Sequence, residues 1–101
     1  MKSRFRTYDL AVKFYQLSRT LQLERPLKEQ LARAASSVVL NLAEGRGRET
    51  VADQKRFFYI AMGSLRECQA ILDLSQGRGS VAWTTLDVVA ASLFCLIRSM
   101  G

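Results

Sequence analysis

Apolar residues recur at spacings of three and four along nearly the whole chain, and that period admits helices and little else. From about Tyr8 to Leu23, Leu10, Phe14, Leu17 and Leu21 form one stripe while Lys13, Gln16, Arg19 and Thr20 face away. Pro26, the single proline, suits the first position of a second helix carrying Leu27, Leu31, Ala35, Val38 and Leu42 inward and closing at Gly45. Thr50-Val51-Ala52-Asp53 matches a capping box, with the Thr50 hydroxyl as N-cap and Asp53 reaching back. A third helix follows with Phe57, Ala61, Ser64, Cys68, Ile71 and Leu72 on its line, and Thr84 or Thr85 can cap a fourth.

The expected helices are therefore about 8–23, 26–44, 51–75 and 85–100, within a single domain spanning residues 1–101. Short loops join neighbouring helices in antiparallel fashion, so the economical fold is all-α, an up-down-up-down four-helix bundle. Val88 to Ile97 is apolar on nearly every side, interrupted only by Ser92, which implies cover on two sides and hence a homo-oligomer. Asp87 and a length short of the ~20 residues of a spanning helix argue that Val81–Ile97 is buried in protein instead of in a membrane.

Chemistry is constrained by what is missing. The 101 residues contain no histidine, removing the commonest general base and zinc ligand, and Cys68 and Cys95 lack metal or disulfide spacing. Both cysteines read as small core residues in a reducing compartment, and no metal or cofactor is expected. The opening MKSRFRTYDLA meets Asp9 and Lys13 where a secretory leader needs a continuous apolar run, so a cytoplasmic location is expected.

A net charge of +6 favours an anionic partner, and residues 1–50 hold ten basic and five acidic side chains against five and four in the remainder. Lys2, Arg4, Arg6, Arg46, Arg48, Lys55 and Arg56 are the candidate nucleic-acid contacts. Lys55, Tyr59, Met62 and Arg66 share a basic face with an aromatic, of the kind on which single strands stack, although an outer helix face or a subunit contact has the same pattern. The Gly-Arg-Gly-Arg turn lacks a preceding strand and a following Gly-Lys-Ser/Thr, which excludes a P-loop and leaves a helix cap with a solvated basic loop, or a phosphate site.

Asn41 and Glu44 stand out in the last turn of the second helix. Glu44 sits at the negative end of a helix dipole and needs a cation. Arg33 is about 16 Å away by helix rise, so Arg46, Arg48, Arg56 or an arginine of another subunit must supply it. No second carboxylate, histidine or cysteine stands at a useful spacing, so catalysis by Glu44 is not expected. Ala61, Gly63 and Ser64 suggest close helix packing.

"QLARAASSVVLNLAEGRGR" followed by "RFFYIAMGSLRE" resembles the paired signature of the bacterial four-helix-bundle family named for proteins encoded in intervening sequences of 23S ribosomal RNA genes. Gln30, Arg33, Ser37, Asn41, Ala43, Glu44, Gly45, Arg48, Phe58, Ala61, Gly63, Ser64 and Glu67 carry the match, and "FRTYDLAVKFYQLSRTL" is similar to the family's opening helix. The resemblance implies an antiparallel bundle, pentameric in the family, in which Gln30, Arg33, Ser37, Asn41, Glu44, Gly45, Gly63 and Ser64 are structural. It also implies kinship with the basic accessory proteins of diversity-generating retroelements, which associate with a reverse transcriptase and nucleic acid. The chain departs at a shorter connection around Pro26 and at "SQGRGSVAW". The expected function is thus a non-enzymatic oligomer binding RNA or DNA through a basic surface, or a scaffold for a reverse transcriptase or RNA-processing enzyme.

Overall fold

A computed structural model describes residues 5–75 and 80–101, so Lys2 and Arg4 lie outside the described residues. Four helices, α1 (Arg6–Ser18), α2 (Arg25–Arg46), α3 (Val51–Leu74) and α4 (Val81–Arg98), account for the regular structure, with no strand among the described residues. α2 packs against α1 and α3, and α4 against the same two helices. The common core takes one line from each: Ala11 and Phe14; Leu31, Ala35, Val38 and Leu42; Leu65, Cys68 and Leu72; Leu86, Val89 and Leu93. Thr7 at the start of α1 is buried against α4, its hydroxyl 2.6 Å from that of Ser92.

Helix ends depart from the expected bounds for local reasons. α1 stops at Ser18, five residues short of Leu23, where the Ser18 hydroxyl donates to the Tyr15 carbonyl at 2.7 Å and the Thr20 hydroxyl to that of Leu17 at 2.7 Å. α4 begins at Val81 because Ser80 caps it, accepting the Trp83 N–H at 3.0 Å. Thr84 and Thr85, the expected caps, instead lie inside the helix and bond back to the carbonyls of Ser80 and Val81. Thr50 caps α3 as expected, accepting the Asp53 N–H at 3.1 Å, but the Asp53 carboxylate turns to Arg56 in place of reaching back.

Gly45 does not end α2. The helix passes through it to Arg46 and is capped at Gly47 with φ −86°, so no left-handed residue is involved. Gly45 is needed for space: a Cβ there would lie 2.7 Å and 2.9 Å from the Phe58 ring and 3.0 Å from the Phe57 Cβ. Phe58, not Phe57, is the fully buried aromatic of α3, and Leu65 takes the place expected for Ser64. Gly63 has no close helix neighbour among the described residues of the chain, where it is exposed and an added Cβ would meet nothing within 4 Å.

α4 is 18 residues long and apolar enough, by length and composition, to cross a membrane. Its burial is confined to the line Ala82, Leu86, Val89, Leu93 and Ile97, and Val81, Val88 and Phe94 remain exposed. Within one chain the core bounded by α1 and α3 covers only this stripe, so the second cover expected for the segment does not come from the chain's own described residues. Cys95 falls on the uncovered side and is exposed, whereas Cys68 is buried.

Burial, reinforced by the neighbouring Glu67 charge, pushes the Cys68 thiol from 9.0 up to about 12. The folded protein keeps this proton where the unfolded chain releases it, so its contribution to stability falls as pH rises from about 9 towards 12. Thiol titration of the native protein at mildly alkaline pH is expected to modify Cys95 alone, with Cys68 reacting only after denaturation. Gly45→Ala is expected to cost about 1–3 kcal/mol by overpacking against Phe58, read as a lower urea midpoint.

Candidate nucleic-acid interface

The turn between α2 and α3 gathers most of the basic residues singled out from the sequence. Glu44 near the end of α2 meets Arg48 four residues on, with Nη2 to Oε2 at 3.0 Å. The same guanidinium reaches Asp53 in the first turn of α3, its Nε 3.5 Å from Oδ2, an ion-pair separation without hydrogen-bond geometry that leaves this buried Nε without a bonded acceptor. Asp53 in turn takes two N–H bonds from Arg56, at 3.0 Å and 2.9 Å. Two acids and two bases thus alternate across the turn.

Arg48 therefore answers Glu44, and the carboxylate at the negative end of α2 is offset within the chain. Phe57 organises the cations further. Arg48 lies 4.7 Å and Arg56 4.4 Å from its ring centre, so the ring is flanked by two guanidinium groups. Gln54 completes the turn by donating to the Arg48 carbonyl at 2.8 Å.

Pairing divides the expected phosphate contacts into two sets. Arg48 and Arg56 are engaged by carboxylates, whereas Arg6, Arg46 and Lys55 have no ion pair among the described residues. Arg46 is exposed and rests 5.1 Å from the centre of the Phe5 ring. Phe5 and Phe57 are seats for cations that helical spacing alone does not reveal, because each ring meets an arginine from another segment. A second basic group, Arg19, Arg25 and Lys28, lines an open cavity of about 340 Å³ where the end of α1 faces the start of α2. It was not expected, since these residues are scattered among acids in the sequence, and the Arg25–Glu29 pair at 3.3 Å partly neutralises it.

The residues assigned structural roles separate along the α2–α3 seam. The Asn41 amide donates to the Ser37 carbonyl at 2.9 Å and to its hydroxyl at 3.1 Å, and Ser37 meets the Ser64 hydroxyl on α3 at 2.9 Å. These three form a polar link between helices, and Gly45 fixes the approach beside Phe58. Gln30, Arg33 and Gly63 are exposed on the outside of the same two helices, which also expose Leu40 at 66% and Ile60 at 43%. Of the aromatic basic face on α3, Tyr59 and Arg66 are exposed, and Met62 and Arg66 line a groove against Phe94 of α4.

The link between α2 and α3 and the arginine turn both fall within the residues that carry the sequence signature, and the profile of the 23S rRNA-intervening sequence protein family matches residues 3–98. The chain belongs to this family. A search of curated proteins returns no match. The family match covers all four helices, so membership describes the whole bundle and not a single motif.

Because Glu44 and Arg48 are both substantially exposed, Glu44→Gln is expected to cost at most about 1 kcal/mol. Arg48→Ala should cost more, since it strips a partner from two carboxylates and uncovers one face of Phe57. Urea unfolding of both variants tests that order; equal losses would show that Asp53 and Phe57 gain nothing from Arg48.

Proposed function

We propose that this family member is a non-enzymatic, cytoplasmic homo-oligomer that binds nucleic acid through the basic end of the bundle. The observation that carries the reading is the division of charge at the α2–α3 turn. Arg46 and Lys55 have no carboxylate partner beside a network in which Arg48 and Arg56 do. Repeating such a patch around a ring multiplies its field, and phosphate contacts make affinity fall with salt.

The bundle is read as up-down-up-down. Phe5 before α1 touches Arg46 at the end of α2, Thr7 near the start of α1 bonds Ser92 in the second half of α4, and the α2–α3 connection is short. Self-association is supported by the outer face of α3, where Gly63 and Ile60 are exposed, and by the exposed Leu40 on α2. A mid-helix glycine costs about 1 kcal/mol relative to alanine, and no close contact among the described residues offsets it here. A second copy packed closely against this face would do so, and the family resemblance points to five copies.

A protein partner, such as a reverse transcriptase or RNA-processing enzyme, is the second reading, favoured by the apolar outer side of α4 at Val81, Val88 and Phe94. The two readings part in one experiment. Fluorescence anisotropy with short RNA and single-stranded DNA should show affinity falling steeply between about 50 and 200 mM salt. Arg46→Gln combined with Lys55→Gln should weaken binding and reduce the salt slope by about two. Salt-insensitive binding, or none, would favour the protein partner. Light scattering tests the assembly: Gly63→Arg should leave helix content intact and reduce the particle size.

A further inference from the structure

At the end of the bundle where α2 finishes and α3 begins, an open cavity of about 440 Å³ is lined by Phe5, Arg46, Gln54, Phe58, Leu96 and Met100. Its volume lies within the roughly 300–1,000 Å³ typical of small-molecule sites. Phe5 and Phe58 are tilted at 42° with ring centres 5.9 Å apart and form the buried apolar floor. Leu96 in the last turn of α4 and Met100 just beyond its end are both half-buried. Three helices and the residue before α1 thus contribute to one concave surface.

Its polar groups differ from those of an ordinary packing defect. The Gln54 amide is oriented by its bond to the Arg48 carbonyl at 2.8 Å, and its carbonyl oxygen and second N–H have no protein partner among the described residues. One donor and one acceptor are therefore available side by side at the cavity wall. Arg46 has no ion pair, and its guanidinium lies 5.1 Å from the Phe5 ring centre, so a planar cation borders the same space.

A flat apolar ring with a hydrogen-bonding edge and an attached anion satisfies all three features. We propose that this cavity receives one unstacked nucleobase of a single-stranded nucleic acid. The base lies against the Phe5, Leu96 and Met100 walls, its edge pairs with the Gln54 amide, and the adjoining phosphate meets Arg46. This deepens the nucleic-acid reading above and rests on it: a duplex keeps its bases stacked and paired, so a bundle of this kind favours single strands.

The test compares a short oligoadenylate with an abasic strand of equal length and charge, both fluorescently labelled, against the full chain at low salt. The intact strand is expected to bind about tenfold more tightly. Met100→Ala, which strips one apolar wall from the cavity, should lower that preference. Gln54→Leu should reduce the preference, and circular dichroism establishes that each variant is folded. Equal affinity for the two strands, or a preference undiminished in both Met100→Ala and Gln54→Leu, overturns the base site while the electrostatic reading stands. Failure of both strands to bind at low salt overturns the site together with that reading.

Discussion

The close approach of Gly45 to Phe58 governs the arrangement of the α2–α3 end of this protein. Because no Cβ intervenes, the Phe58 ring lies against the α2 backbone and the two longest helices meet at the turn that joins them. α2 can then continue past Gly45 to Arg46, so Arg46 is delivered to Phe5 and Arg48 to Phe57. The Ser37, Asn41 and Ser64 link holds the same seam further along, where it pairs half-buried hydroxyls and an amide across the two helices.

Electrostatics at this turn follow from that packing. Glu44 is tolerated at the negative end of α2 because Arg48 comes back over it, and Asp53 serves both the first turn of α3 and Arg56. Neutralisation within the network leaves Arg46 and Lys55, like Arg6, without an ion pair among the described residues. The outer surface carries a different excess. Leu40, Ile60, Val88 and Phe94 are apolar and exposed on three of the four helices, more than the internal core uses. Membership of the 23S rRNA-intervening sequence protein family accounts for the bundle, while activity depends on what these two surfaces meet.

Much of the fold was legible because apolar period and capping chemistry are local. Pro26 near the start of α2, Thr50 at the cap of α3, and Leu31, Val38 and Leu42 on the inward line all follow from spacing. Errors arose where one helix offered two equivalent neighbours. Phe57 and Phe58 are both aromatic, and only the gap at Gly45 selects Phe58 for the core. Ser80 competes with Thr84 and Thr85 as a cap, and the choice adds a full turn to α4. Cys95 resembles Cys68 in its apolar surroundings, yet one faces outward and the other inward.

The sequence by itself determined four helices, their principal inward residues, a basic first half and a family signature, because each depends on composition or on contacts within a few residues. Tertiary structure decided which cations are paired, why Gly45 must be glycine, that Gly63 faces open space, and that Phe5, Gln54 and Met100 border one cavity. The cavity depends on residues tens of positions apart being brought within a few ångströms, and the cation pairs and the Gly45 gap on how the chain turns from α2 into α3; helical period carries no information about the azimuth at which one helix meets another.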